Sequence, residues 1–445
     1  MEYEASTITG ISLGLTLGLA GLLLSLPRRY AILPMLVAGC YMSLAQALSV
    51  AGLSFNVIRI LIFFGVIRIV LKGELASIRL NAIDKTLIAS VMASAFLHVV
   101  LSGDTSNFTG RLAIVYDAFG IYFIARAVLR DMDDIILTVK MLALLMIPLA
   151  ALFVLEHVTG RNLFSLLGGV DLFSEVRNGR VRAQGPFKHS ILAGTFGATM
   201  LPLLVGLRAY STQGRLLATG GVLAAGVIIV TSASSGPLLA ALATVMGLFC
   251  WSVRSSMRAI RWGIVVFFVA LHIYMNDPVW FLIARLGDVF GGGGWYRSAL
   301  INAAIVHFNE WWLSGTTYTR HWMASGISAN PNMADIVNHF VAQAVSGGLL
   351  ALVLFIWLIV RCFKVTGSEV RDETRWGASQ RFFIWCMGCA MLGHVVSFFA
   401  VSYFDQMTLF WYVLIATIAV LEPGKKGRTI ESEEWHNQST VQFST

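Results

Sequence analysis

The sequence has 445 residues, of which 57% are hydrophobic and only 13% are charged. A soluble helical protein with this composition would need a long series of nearly uncharged helices, and an outer-membrane barrel would need short alternating strands in place of long apolar runs. The composition therefore indicates a polytopic α-helical membrane protein. The net charge of +8 comes mostly from the loops, so nucleic acid is not an expected partner.

Apolar stretches close to the roughly 20 residues that cross a bilayer recur along the whole chain. They predict about 13 transmembrane helices (12–14), at residues 6–26, 31–50, 54–71, 87–103, 111–129, 135–155, 190–207, 216–232, 237–253, 263–275, 338–360, 382–402 and 405–421. The sequence contains no repeat of 20–50 residues and no low-complexity linker. We therefore expect one membrane domain over residues 1–421, with a long loop at 276–336, and a polar cytoplasmic tail over 422–445.

Basic residues follow the positive-inside rule through most of this topology. When Arg28 and Arg29 are placed in the cytoplasm, every second loop is rich in Lys and Arg. Two loops on the opposite side depart from the rule. They are the loop near 157–189, with Arg161, Arg177, Arg180, Arg182 and Lys188, and the loop near 276–336, with Arg285, Arg297 and Arg320. Cations on the side that topology disfavours suggest a chemical role.

The first of these loops runs directly into the span at 190–207. Its last residues, 180–189, read Arg-Val-Arg-Ala-Gln-Gly-Pro-Phe-Lys-His. Arginine forks and the amides of a helix entrance both favour anions, so Arg180, Arg182 and His189 are predicted to bind a phosphate-bearing substrate. The alternatives are contact with anionic lipid headgroups and a solvated loop.

The second loop is predicted to contain a helix that lies at the membrane surface. Four glycines at 291–294 interrupt any preceding helix, the two aromatic residues at 295–296 are an interfacial anchor, and residues 297–312 have helical composition. Arg297 in this helix is a second predicted phosphate ligand, with interfacial anchoring as the alternative. His307, Glu310 and His321 share the loop, but their spacing is not that of a zinc site, so no metal is expected.

A histidine stands at the entrance of the span at 338–360. We expect His339 to lie at nearly the same depth as Arg182, on the same face of the membrane. An imidazole beside a phosphate-binding cluster suits proton abstraction from a sugar hydroxyl. The alternative is a structural hydrogen-bonding role.

One pair of charged residues lies at equal depth within two predicted spans. Arg59 and Asp117 are each five to six residues inside a span, counted from the same face. Charges in lipid generally face the bundle interior and have a partner, so an ion pair is predicted. It serves either as a structural pair or as part of the lining of a substrate cavity.

Taken together, these elements resemble the O-antigen ligase and O-antigen polymerase superfamily of bacterial membrane glycosyltransferases. Members of that family have an Arg-x-x-Gly-small-Phe element entering a mid-chain span, then a long extracytoplasmic loop, then a His about eight residues before a Gly pair. The corresponding positions are 182–187, 276–336, His339 and 347–348. The stretch 394–406 is also similar. The chain departs from the family's pattern at Asn338, which precedes the histidine, and at 188–190.

The resemblance implies a C-type glycosyltransferase fold and a polyprenyl-diphosphate-linked glycan as donor. It implies a glycan or lipid acceptor, membrane lipid and polysaccharide-assembly proteins as partners, and no cofactor or metal. Chemistry is expected on the extracytoplasmic face of the bacterial inner membrane, where Arg182, Arg180 and Arg297 neutralise the diphosphate and His339 acts as base. Polymerase and ligase activity remain open. A transporter of an anionic or lipid-linked solute and a non-catalytic scaffold of an envelope complex are the other two functions considered.

Overall fold

The computed structural model describes residues 6–50, 53–103, 108–210, 214–289, 293–323, 326, 328 and 330–422. The chain is about 75% helical with almost no sheet. Among the described residues, seven helices are long and apolar enough to cross a membrane, and three further apolar helices are shorter. The protein is therefore an all-α membrane protein. Of the predicted tail at 422–445, residues 423–445 lie outside the described residues.

The helices follow one another with few irregular connections. They are α1 (Gly10–Ser25), α2 (Leu33–Tyr41), α3 (Val57–Leu71), α4 (Ala82–Ser102), α5 (Phe108–Val128), α6 (Met132–Thr159), α7 (Ser190–Tyr210), α8 (Arg215–Thr231), α9 (Ser235–Phe249), α10 (Met257–Tyr274), α11 (Leu282–Val289), α12 (Gly294–Val306), α13 (Phe308–Trp311), α14 (His339–Arg371), α15 (Ala378–Phe398) and α16 (Gln406–Leu421). The strands are β1 (Ser6–Thr7), β2 (Gln46–Val50), β3 (Leu53–Asn56), β4 (Val176–Arg177) and β5 (Arg180–Val181).

The prediction of a continuous helical span over residues 31–50 is wrong. Helix α2 ends at Tyr41, and the chain continues into β2, which pairs with β1 through Ser6 and Gln46. The Gln46 side chain accepts the Thr9 amide at 3.0 Å, and its amide group lies 3.4 Å from Ser12 Oγ. A buried polar side chain bonded in this way fixes an extended segment.

The small sheet shows which segments lie at the same end of the helix bundle. Ser6 pairs with Gln46, and Ala47 pairs with Asn56 at the start of α3. Helix α1 separates Ser6 from Arg28, so α2 and the extended residues after it return the chain to the end of the bundle where it began. At the opposite end, the buried guanidinium of Arg68 joins α3 to the carbonyls of Leu23 and Leu26 at 2.6 and 2.8 Å.

Helices α9 and α10 are joined by a 3-10 segment, Cys250–Ser256, in place of an irregular loop. The non-helical backbone of Val253 (φ −113°, ψ 22°) bends the chain there. Ser234, which precedes α9, contacts Arg182, and Trp280, which follows α10, accepts a bond from Ser298. The segment 250–256 therefore lies at the end of the bundle opposite these contacts.

Helix α7 lies at the centre of the bundle and packs against α8, α9 and α15. The rings of Phe187, Phe196 and Phe410 form a stack with centroid separations of 5.5 and 4.5 Å. All three rings are buried. This stack anchors the segment that leads into α7 against α16.

Helix α14 is interrupted at a glycine pair. Gly347 (φ −152°, ψ 23°) and Gly348 (φ 72°, ψ −167°) leave the helical region. The backbone groups freed by the break bond to the loop after α13, where Thr316 N donates to Val345 O at 2.8 Å and Leu349 N donates to Trp312 O at 2.8 Å. At the break, hydrogen bonds to this loop therefore replace intrahelical hydrogen bonds.

Gly348→Ala is expected to destabilise the protein. Its backbone lies in a region that only glycine populates readily, at a cost of about 1–3 kcal/mol for other residues, and an added Cβ would lie 2.7 Å from Leu313 O. We expect a lower thermal midpoint in detergent. Gly367→Ala in the same helix, where an added Cβ meets nothing within 4 Å, is the control, and equal midpoints for the two variants would contradict this account.

Candidate functional site

The site begins with a short strap, residues 182–189, that leads into α7. The Glu156 carboxylate on α6 accepts the amides of Gln184 at 2.9 Å and Gly185 at 2.8 Å. Gly185 has φ +57°, and a Cβ there would collide with the ring of Phe153. The strap conformation therefore requires glycine at this position and a carboxylate beneath it.

Arg182 is held rigidly within the strap and is only 4% exposed. Its Nη1 donates to Glu175 Oε2 at 2.6 Å, and its Nη2 donates to Ser234 Oγ at 2.9 Å. Its buried Nε has no hydrogen-bond partner among the described residues. Burial is the main reason why the pKa of Arg182 is lowered, and the neighbouring Arg177 lowers it further, while Glu175 opposes the shift.

Arg297 belongs to the same positive cluster. It lies in the first turn of α12, and its Nε donates to Ala400 O at 3.0 Å. Its pKa is lowered first by burial and then by the charges of Arg177 and Arg182. The pKa of His189 is lowered to about 4, mainly by burial and then by Arg182, with Arg177 and Arg297 adding to the effect. These four residues form what we call the cationic cluster.

Two predicted ligands, Arg180 and Arg59, are not members of the cationic cluster. Arg180 is exposed on the β4–β5 hairpin, where it is paired with Arg177. Arg177, which the sequence indicates only as one of the loop cations, is one of the charges that lower the pKa of His189. The predicted Arg59–Asp117 ion pair is confirmed. Arg59 Nη2 lies 2.8 Å from Asp117 Oδ2, and Nη1 donates to Ser54 O at 2.7 Å. The Arg59 guanidinium is thus bonded to protein groups on two sides.

His339 is the first residue of α14, which Asn338 caps through bonds to the amides of Phe340 and Val341. Its Nδ1 accepts the backbone N–H of Tyr403 at 3.1 Å. The ring packs against Phe398 at a centroid distance of 4.7 Å. Because Nδ1 is an acceptor, the neutral ring carries its proton on Nε2.

The connection between α15 and α16, residues 399–405, links these parts. Ala400 O bonds to Arg297, Tyr403 N bonds to His339, and Asp405 Oδ2 accepts the Lys188 amide at 2.8 Å. One seven-residue segment therefore contacts α12, α14 and the strap. The structure brings Arg182, Arg297 and His189 together, and joins His339 to them through this segment.

Asp405 was not singled out from the sequence. It has a positive φ of +58°, a strained backbone that is uncommon outside glycine and often accompanies functional sites. Burial is the main cause that raises its pKa to about 7, against the backbone hydrogen bonds that lower it. A carboxyl group that titrates near neutrality can exchange a proton under physiological conditions.

Neither a family model nor a curated protein matches this chain. Any assignment of function therefore has to be argued from the site itself. The cationic cluster contains three arginines, with Glu175 as the acidic residue bonded to it. Such a cluster is suited to an anion with several oxygens, and a phosphate or diphosphate offers the geometry that arginine forks bind.

Proposed function

We propose that the protein is a membrane glycosyltransferase that transfers or polymerises a glycan from a polyprenyl-diphosphate donor, as the resemblance to the O-antigen ligase and polymerase superfamily implies. The observation that carries this proposal is the cationic cluster, which the segment 399–405 links to His339 at the entrance of α14. Its members come from the strap, α12 and the β4–β5 hairpin. A lipid-linked diphosphate would reach such a cluster from the bundle of apolar helices.

In the proposed reaction the cluster stabilises the leaving group. The bond between the anomeric carbon and the donor's phosphate oxygen breaks, and the electron pair stays on the diphosphate. Arg182 and Arg297 lie where they can neutralise the new charge, with Arg180 near the cluster's edge and Arg59 as a contact for the donor. A positioned donor at developing charge is typically worth about 3 kcal/mol. In this proposal, arginine charge does the work that a metal ion does in other transferases.

His339 is the proposed catalytic base. An acceptor hydroxyl attacks the anomeric carbon from the face opposite the diphosphate, which inverts the configuration, and its proton passes to the imidazole. Because Nδ1 now accepts the Tyr403 amide, this role requires substrate binding to release that contact. Catalytic hydrogen bonds often become established only in the substrate complex.

The proposal includes a location and a topology. We propose about 13 crossings of the bacterial inner membrane, with the cationic cluster facing the exterior. The acceptor is a second glycan or a lipid, and polysaccharide-assembly proteins are the expected partners. The positive-inside distribution of Lys and Arg supports this orientation.

Cysteine-accessibility labelling in a cysteine-free background checks this orientation. Single cysteines at Gly179 and Thr317 are expected to react with an impermeant reagent from outside, because both lie in the loops that carry the cluster. Cysteines at Ser256 and Ser368 are expected to react only after permeabilisation. Labelling of the Gly179 and Ser368 positions from the same side would contradict the orientation.

The activity itself is tested with purified protein in detergent and a polyprenyl-diphosphate glycan. Longer chains on the donor would identify a polymerase, and transfer to an added lipid acceptor would identify a ligase. An unchanged glycan would overturn the proposal. Movement of the unchanged donor across the membrane of reconstituted vesicles would then point to transport.

A further inference from the structure

Two histidines and a glutamate meet at the surface of the α12–α14 connection. His307 Nδ1 lies 2.7 Å from Glu310 Oε1, and His321 Nε2 lies 3.0 Å from the same oxygen. One donor atom from each residue can be chosen so that all three lie within 4.8 Å of one another. Their side chains are 28%, 37% and 36% exposed, so an ion in solution can reach them.

The surrounding side chains orient these three donors. The ring of Trp322 stacks on His307 with planes 9° apart, and the ring of Tyr318 stacks on His321 with planes 17° apart. Trp322 Nε1 donates to Glu310 Oε2 at 2.9 Å. An outer hydrogen bond of this kind to a carboxylate ligand is typical of metal sites, where it fixes the ligand's orientation.

We propose that His307, Glu310 and His321 form a Zn²⁺ site, with water as the fourth ligand. Two imidazoles and one carboxylate are a common ligand set for tetrahedral zinc. Zinc bonds of about 2.0–2.1 Å place tetrahedral donors about 3.3 Å apart, so the donors around Glu310 need to move by only a few tenths of an ångström. The two histidine donors must approach each other further, which their exposed side chains allow.

Binding needs no net proton release from neutral rings. The N–H groups that now point at Glu310 come from His307 Nδ1 and His321 Nε2. On binding, each ring shifts its proton to its other nitrogen and presents a lone pair to the ion. One dication thereby replaces two hydrogen bonds to the carboxylate.

The proposal differs from the expectation from sequence that these residues hold no metal. His307 and Glu310 are three residues apart and flank the start of α13, whereas His321 belongs to the 3-10 turn Arg320–Trp322. The path of residues 312–319 brings His321 close to His307 and Glu310. The ion closes this loop and fixes α13, which packs against α14. This role is independent of glycosyl transfer.

Zinc titration of the purified, chelator-treated protein against a chromophoric chelator tests the site. Wild type is expected to bind one Zn²⁺ per chain. His321→Ala and Glu310→Gln are expected to weaken binding at least about 10-fold, since even outer-shell changes often cost roughly that much. The control is His272→Ala, which removes an exposed histidine outside the cluster and is expected to bind zinc as wild type does.

Two results would overturn the site: no zinc uptake by wild type, and equal affinity in wild type and the ligand variants. If a ligand variant fails to elute as a folded protein, X-ray absorption of the wild-type zinc complex decides. Two imidazole ligands without sulfur support the site. Sulfur ligation would place the ion at a cysteine and would contradict the proposed site. A protein that binds zinc in this way but transfers no glycan would refute the proposed function alone.

Discussion

Arg182→Ala is expected to reduce glycosyl transfer by about 10²–10³-fold, the usual loss when one positioned donor to a developing charge is removed. Arg182 is buried, and its bonds to Glu175 and Ser234 fix the guanidinium. Its charge is therefore already positioned before the substrate binds. The variant should still fold, because the side chain of Glu175 is 50% exposed and stays solvated when its partner is lost. The measurement is the initial rate of product formation at saturating donor.

Two further variants define the role of this arginine. Arg182→Lys is expected to restore only part of the rate, since an ammonium group does not reproduce the two guanidinium bonds to Glu175 and Ser234 that fix the position of the charge. Arg161→Ala is the matched control, because Arg161 is an exposed arginine of the same loop that lies over the ring of Phe173 at 6.0 Å, and it should leave the rate near that of wild type. Full activity in both Arg182 variants would rule this residue out as a diphosphate ligand.

His339→Ala is expected to reduce turnover by about 10²–10⁴-fold, the usual contribution of a general base. Donor binding should remain near that of wild type, because it depends on the arginines. His339→Gln offers an amide that can accept from Tyr403 N and donate elsewhere, but it cannot take up a proton. We therefore expect the Gln variant to be nearly as inactive as the Ala variant, in rates measured beside donor-binding titrations.

The Gln variant distinguishes a base from a hydrogen-bond donor. If it restores the rate, His339 acts through its Nε2–H and the base lies elsewhere. Asp405 would then be the first residue to test, because its pKa is raised to about 7 and it bonds to the strap. His272→Gln, at an exposed position outside the site, is the control for a general effect of replacing histidine by glutamine.

The sequence predicted most of the helices because bilayer thickness dictates the length of an apolar run. It did not predict how α2 ends. The pairing of Gln46 with Ser6 joins residues that are far apart in the chain, and such non-local bonds leave no local pattern. The Arg59–Asp117 pair was predictable, because a buried charge needs a partner at its own depth.

The candidate site was predictable in its charges but not in its connections. Arg182 and Arg297 were predictable because the expected topology puts them on the side where cations are unusual, and His189 because it leads directly into a span. Asp405 and Tyr403 lie in the stretch 394–406 that resembles the family, but they were assigned no role, since one carboxyl group and one aromatic ring carry no such signal. The positive φ of Asp405 and the bond from Tyr403 N to His339 become visible only in three dimensions.

The interruption of α14 has a consequence for how the chain is made. Val345 O and Leu349 N have their partners in residues 312–316, and in lipid each unsatisfied backbone group costs several kcal/mol. We therefore expect α14 to insert fully only when this loop supplies those partners. The preceding loop, which is synthesised first, must be close to α14 when the glycine pair enters the membrane. Assembly of α14 thus depends on residues 312–316, which belong to none of the seven described helices that are long enough to cross a membrane. A tag inserted at these residues is expected to impair assembly.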